Sequence, residues 1–272
     1  MKTVIRVPGS VFADREALAR LAAQIGTLAQ LGHRMLVVHG GNCFVSAELR
    51  RIGVPEHFEG GLRVVDRMTR DASVRVLAGQ LTQCLAAAVS REGRRVLGLS
   101  PATAPCFRCE TLFRENVPGK LGYEGYLIGV DRRLIDSLLD QEIVLVAPSL
   151  ALAASREIQC IQTDHMAAAC AEYLQADLLL FISGRDPLPL IHEEVIRLSV
   201  DKIIRILGRT GTADRIVVKL EAARRALDAG VKSVVLIRSA RKQELLDAVV
   251  TSRSHSHPPF SSSAPHPSPA DI

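Results

Sequence analysis

This chain predicts an α/β protein, a three-layer αβα sandwich around a mainly parallel central sheet, and three observations carry that expectation. Residues 4–38 read as strand, helix, strand. The same alternation then recurs to about residue 250. Hydrophobic residues make up 47% of the 272, chiefly Leu, Val, Ile and Ala with few aromatics, enough to fill a sizeable core.

Residues 4–7, Val-Ile-Arg-Val, read as a short strand. Residues 14–31 set Leu18, Leu21, Ala22, Ile25 and Leu28 on one helical face and stop at Gly32. Residues 35–38 are apolar throughout, as a fully buried strand requires. A strand, helix and strand of this length form a βαβ unit, with parallel strands and a right-handed crossover. Further helices are predicted over 69–91, 131–139, 164–174, 218–229 and 243–250, and strands over 96–99, 143–146, 178–182 and 233–237. Loops at the carboxyl ends of such strands are open to ligands. A seam near residues 151–156 divides the chain into lobes of residues 1–153 and 154–250. Residues 251–272, rich in Ser, Pro and His, bury too little to fold and are expected to be a disordered tail.

The net charge is +5 and the pI about 9.0, but the arginines are scattered along helical stretches instead of forming a block. With no Trp and three Tyr, few platforms exist for stacked bases, so nucleic acid is not an expected partner. The basic balance suits anionic small molecules. Cys43, Cys84, Cys106, Cys109, Cys160 and Cys170, with no apolar signal segment after Met1-Lys2, point to free thiols in a reducing cytoplasm. No run approaches the ~18 apolar residues that span a bilayer, the longest (143–154) being broken by Pro148. No membrane is therefore expected. Cys106-Phe107-Arg108-Cys109 has the gap of a zinc half-site but no matching second pair, and reads as a chance pair in a loop. His255, His257 and His266 read as part of the solvated tail, so no metal-ligating set is expected.

The informative segments are Val37-Val38-His39-Gly40-Gly41 and Gly60-Gly61-Leu62-Arg63. Paired glycines after an apolar run expose backbone N–H groups at a strand's end, and the second pair sets an arginine beside them. Arg63 could grip a carboxylate with two parallel hydrogen bonds. His39 at the end of a buried strand is expected to fix the turn through the backbone, and Asp164 to open its helix, as an N-cap or facing the cleft.

Taken with Ile5-Arg6-Val7-Pro8-Gly9-Ser10, Leu121-Gly122-Tyr123-Glu124-Gly125, Asp164 and a helix opening at Lys219-Leu220-Glu221-Ala222-Ala223, the order and spacing resemble the amino acid kinase family, and within it the N-acetylglutamate kinases of arginine biosynthesis. The likeness runs over residues 4–250. It implies an amino-terminal lobe for the acidic amino-acid substrate, a carboxy-terminal lobe for ATP with Mg2+, and transfer of the γ-phosphoryl group to a side-chain carboxylate. By position, Gly40, Gly41, Arg63 and Cys160 would line the substrate site, with Arg63 on the α-carboxylate. Lys219, Arg6 and Asp164 would be catalytic, and Gly9, Ser183 and Gly184 would lie on the nucleotide side. A homodimer is implied by resemblance alone.

The pattern also departs from the family's. Arg6 stands for a lysine, Pro8 for a glycine, and Asn42 for a third glycine, where asparagine's tolerance of left-handed backbone would help. Cys160 and Gln162 stand for two asparagines, the first a substrate contact. Ser183-Gly184-Arg185-Asp186-Pro187 and Asp214-Arg215-Ile216 depart from the usual nucleotide segments, and Gly208-Arg209-Thr210-Gly211-Thr212 is a plain turn or a phosphate contact. Three functions follow: the kinase, a non-catalytic relative that binds an amino acid or regulates a partner, and a kinase with a changed acceptor.

Overall fold

The computed structural model of the protein describes residues 1–59, 62–102, 105–112, 122–183, 194–208, 214–238 and 244–253. Strand β1 (Lys2–Val7) is followed by a 3-10 turn over Gly9–Ala13 and by helix α1 (Arg15–Gln30), whose amino end Asp14 caps by accepting from the amides of Glu16 and Ala17 at 3.0 Å each. Gly32, at φ +78°, ends the helix, and β2 (Arg34–His39) returns parallel to β1. Helix α2 (Asn42–Arg51) then leaves directly from Gly41. It was not expected, because only Val45 and Leu49 of its ten residues are buried and its apolar stripe is too thin to read.

A small hairpin pairs β3 (Phe58–Glu59) with β4 (Leu62–Arg63). Next, α3 (Arg67–Val74), a π-helical segment over Arg75–Leu81 and α4 (Thr82–Ser90) form one 24-residue helix, Arg67–Ser90, where 69–91 was expected. Against expectation, this helix is long and apolar enough, by length and composition alone, to cross a bilayer. Its Leu77, Leu81, Leu85 and Val89 are buried inside the protein.

The chain continues through β5 (Val96–Gly98), β6 (Phe107–Thr111), β7 (Glu124–Val130), α5 (Arg132–Leu139), β8 (Val144–Pro148), β9 (Leu150–Ala153) and β10 (Ile158–Ile161). It closes with α6 (Thr163–Tyr173), β11 (Leu178–Ile182), β12 (Val195–Leu198), α7 (Val200–Leu207), α8 (Asp214–Asp228), β13 (Ser233–Ile237) and α9 (Glu244–Arg253). Among the described residues the central sheet has seven strands in the order β12-β13-β11-β1-β2-β8-β5, all neighbours parallel except β12 with β13. The α/β class with a mainly parallel sheet is therefore what forms.

Side-chain alternation along these strands makes the three layers. Val4, Leu36, Leu179 and Val234 share one row and pack with Met166 of α6 and Leu220 of α8. One residue on, Ile5, Val37, Leu180 and Val235 face the opposite side, with Ile25 of α1, Leu85 of α4 and Leu245 of α9. Both faces are dry, which is why the strands read as continuous apolar runs.

Strands β6, β7, β9 and β10 close into a small barrel beside the sheet. Cys109 belongs here, within β6, and Cys106 lies in the connection just before it, both buried, with burial pushing the thiols of Cys106 and Cys109 up to about 11 and about 12. Among the described residues no group of three or more His, Cys, Asp or Glu side chains could hold a metal. The sheet and the barrel both continue across residue 154, since β1 pairs with β2 and β11, and β10 with β7 and β9. Residues 251–253, read in the sequence as tail, extend α9, where Ser252 Oγ donates to Ala248 O at 2.8 Å; residues 254–272 lie outside the described residues.

Candidate functional site

Parallel register places the carboxyl ends of β1, β2 and β11 on one edge, so the segments that follow them meet there. Gly40 N donates to Val7 O at 3.2 Å, tying the two turns together. A Cβ added at Gly9 would lie 2.9 Å from Gly41 Cα, and one added at Gly40 would lie 2.4 Å from Thr163 Oγ1 at the start of α6. Gly9 thus lets backbone pack on backbone, and Gly40 makes room for the Thr163 side chain. Gly41 O accepts from the amides of Phe44 and Val45 and so starts α2. Asn42 is the first helical residue and does not use a left-handed conformation, contrary to the sequence reading.

Arg6, Asp164 and Lys219, assigned from three separate segments, come together. Arg6 Nε lies 2.9 Å from Asp164 Oδ1, and its Nη2 donates to Oδ2 at 3.1 Å, a two-pronged grip. Lys219 Nζ donates to Asp164 Oδ1 at 3.2 Å, and Arg6 Nη1 to Ile182 O at 3.1 Å. All three side chains are at most 13% exposed. Burial pushes the Asp164 carboxyl up, but the charges of Arg6 and Lys219 outweigh it and hold it below the usual carboxylate range. Asp164 is not the helix cap, since Gln162 occupies that position and Thr163 begins α6. Lys219 lies in the second turn of α8, which starts at Asp214 instead of opening near the lysine.

Because Thr163 touches Gly40 and Asp164 follows it, the ion cluster and the glycine turn are neighbours. Arg63 joins the same turn from the other side. Its Nη2 donates to Asn42 O at 3.5 Å and to Ser46 Oγ of α2 at 3.0 Å, and its Nη1 lies 2.6 Å from Glu56 Oε2. The guanidinium also stands 5.4 Å over the Phe58 ring. Glu56 and Ser46 thus hold an arginine that sequence reading could only place near glycines.

Cys160 lies on β10 beside Glu124 of β7. Its thiol is pushed up to about 12, first by burial and then by Glu124, with Ser73, Arg63 and Arg70 opposing. In the sequence Glu124 stands within the Leu121-Gly122-Tyr123-Glu124-Gly125 segment and carries no signal of a role. Three backbone contacts weld this wall: a bridge from Val65 to Gly122, Tyr123 N to Val65 O at 2.7 Å, and Cys160 N to Tyr123 O at 2.7 Å.

His39 is fully buried, its Nε2 2.9 Å from Thr82 Oγ1 and its Nδ1 3.3 Å from Gly40 O. Burial lowers its pKa to about 4, with the Gly40 carbonyl opposing, so the ring is neutral and structural as expected. Thr82 Oγ1 also donates to Leu77 O, five residues back, inside the π-helical segment. The ring therefore anchors that segment behind Gly41, whose added Cβ would strike Leu81 and Leu77.

Ser183 is buried at the end of β11, with its amide bonded to Ile237 O at 2.7 Å and no hydrogen-bond partner for its Oγ among the described residues. Gly184, with residues 185–187, the Gly60-Gly61 pair, Leu121 and residues 209–213, lies outside the described residues. A cleft lined by Gly32, His33, Arg34, Asp140 and Glu142 sits at the opposite edge of the sheet and contains no residue of this site.

Residues 1–238 match the model of the amino acid kinase family. The chain is 32% identical over 247 residues to an acetylglutamate kinase of Koribacter versatilis (strain Ellin345), covering 90% of this chain and 93% of that protein. A second acetylglutamate kinase, from Acidobacterium capsulatum, is 32% identical over 248 residues, covering 91% and 94%. In fold, the chain superposes on N-acetylglutamate synthase from Neisseria gonorrhoeae, complexed with coenzyme A and N-acetyl-glutamate, with TM-score 0.79 at 22% identity. It spans 90% of itself but 56% of that synthase chain. Carbamate kinase from Giardia lamblia bound to AMP-PNP gives TM-score 0.65 at 13% identity, covering 92% and 95%. At those identities the last two likenesses concern the fold alone.

Proposed function

Because the chain belongs to the amino acid kinase family, we propose that it transfers the γ-phosphoryl group of ATP to the side-chain carboxylate of N-acetylglutamate or a similar acidic amino acid, the reaction type of arginine biosynthesis. The observation that carries this reading is the convergence of Arg6 and Lys219 on Asp164 beside the glycine turns. A carboxylate with an ordinary pKa of about 4.3 is already ionised at neutral pH and needs no general base. One carboxylate oxygen attacks the γ-phosphorus, the bond to the bridging oxygen breaks, and ADP carries away the electron pair. The protein's task is to hold two anions in line and offset the charge that develops.

In this reading residues 1–153 hold the acceptor through Gly40, Gly41, Arg63 and Cys160, and residues 154–250 hold the nucleotide. Gly9, Ser183 and Gly184 serve the phosphates. Lys219 stabilises the transferring group, and Asp164 keeps it and Arg6 aimed. The buried Ser183 hydroxyl, without a hydrogen-bond partner among the described residues, suits an anion's oxygens. Magnesium would arrive on the nucleotide's phosphates, as this ion usually does. A homodimer and a cytoplasmic location complete the reading, the first checked by sedimentation, with a monomer at micromolar concentration counting against it.

Hydroxylamine trapping tests the chemistry. Wild type with Mg-ATP and acceptor should yield hydroxamate, and Lys219→Ala should lower the rate by about 10²- to 10³-fold. Absence of product from a series of N-acyl acidic amino acids would refute phosphoryl transfer. One observation favours the second reading, a binding or regulatory relative without catalysis: Arg6 donates through Nη2 to Asp164 and through Nη1 to Ile182 and is ion-paired to Asp164, leaving a less adaptable cation than lysine. Calorimetry separates the two, since that relative would bind the amino acid and not Mg-ATP.

A further inference from the structure

Glu124 is a buried acid in the acceptor wall that the reaction as described does not use. It is 8% exposed, and among the described residues no hydrogen bond or ion pair engages its carboxylate. Its register partner is Cys160, which stands where the resembling kinases carry a substrate-contacting asparagine. A thiol is a poor hydrogen-bonding group, so the exchange removes recognition from one strand. The strand beside it carries a carboxylate that an apolar pair of neighbours would not need. Arg63 is the charge nearest in effect, yet its guanidinium is held by Glu56, Ser46 and Asn42.

A carboxylate left in such a place without a partner is costly, and the cost is offset when something supplies a proton to share. Two further observations agree. Burial pushes Glu124 up to about 8, with Arg63 opposing, as for a group with no hydrogen-bond donor among the described residues. The wall is also rigid: Gly122, Tyr123 and Cys160 are tied by backbone contacts to Val65 and to one another.

We propose that Glu124 reads the acceptor's α-nitrogen, accepting a hydrogen bond from its N–H while Arg63 takes the neighbouring carboxylate. This rests on the acceptor reading given above. The ligand class is a dicarboxylic acid bearing nitrogen on the carbon next to one carboxylate, and it supplies the donor that Cys160 cannot meet. Glu124 is a specificity-determining residue, and the γ-phosphoryl group does not touch it.

Calorimetry without nucleotide tests this, using N-acetyl-L-glutamate, L-glutamate and glutarate, the last lacking the nitrogen. Wild type should bind at least one nitrogen-bearing acid ~10-fold or more tighter than glutarate. Glu124→Val and Glu124→Leu should shrink that preference to about 2-fold while glutarate affinity stays near the wild-type value. An unchanged preference in both variants, equal wild-type affinities for all three acids, or binding of none of them at millimolar concentration would each overturn the proposal. So would a melting temperature lowered by more than about 5 °C in both variants, because Glu124 would then be holding the fold. Since no turnover is measured, failure of the kinase reading leaves these outcomes distinct: hydroxylamine trapping can be negative while the preference and its loss are still observed.

Discussion

Asp164→Asn should destabilise the protein by about 3–5 kcal/mol at neutral pH and lower acyl-phosphate formation about 100-fold or more. The substitution keeps size and removes one negative charge from between two cations. Arg6 and Lys219, 13% and 3% exposed, would remain buried with their shared counter-ion gone. The sign of the pH dependence follows from the lowered carboxyl of Asp164. Its contribution is fully present above the ordinary carboxylate pKa of about 3.9 and is lost as pH falls through the lower folded value. The gap between wild type and variant, measured by urea unfolding, should therefore be wide at pH 7 and close in strong acid. A difference below about 1 kcal/mol at pH 7 would contradict the account.

His39 sets a separate acid limit that both proteins share. Its folded pKa of about 4 lies below the ordinary 6.5, so the fold favours the neutral ring. That contribution is intact above pH 6.5 and is lost progressively as pH falls toward 4. Wild type and Asp164→Asn should thus lose stability in parallel through this window and converge only below it.

Gly122→Ala should be the most damaging of the glycine substitutions. Its φ of +67° disfavours any side chain, and the added Cβ would lie 2.1 Å from Val65 O, a backbone atom that cannot swing aside. Left-handed backbone costs about 1–3 kcal/mol, and the forced shift adds a comparable amount. Gly53→Ala is the control, because Gly53 has φ +70° with nothing within 4 Å of an added Cβ, so the backbone cost acts alone. Thermal melts of the two variants should differ clearly, and acceptor affinity should fall in Gly122→Ala while Gly53→Ala binds as wild type. Equal melting temperatures would mean that the contact of Gly122 with Val65 is not a constraint.

The central strands and most long helices were legible because their residues answer to a local period. Residues 178–182 and 233–237 match their strands end to end, since both faces are buried and every residue but Ser233 is apolar. Helix α2 was hidden by its polar composition, and the barrel strands were hidden by shortness and mixed exposure, as in β7, where Tyr126 and Ile128 face outward between buried neighbours. In the site, Arg6, Asp164 and Lys219 were named individually, and the glycine turns marked the edge. Glu124, Glu56, Ser46 and the link from His39 to Thr82 carried no local signal, because each matters through a neighbour distant in sequence.

By itself, the order of apolar runs and helical stretches determined a mainly parallel sheet, and the glycines after β1 and β2 marked the edge at which those strands end. Those properties follow from backbone geometry and burial over a few residues at a time. Tertiary structure alone decided that residues 158 and 55 positions away from one another's segments share a single carboxylate, and that Glu124 stands beside Cys160. Strand register and crossover direction fix such meetings, and no periodicity within one segment encodes which charge will be waiting on the next.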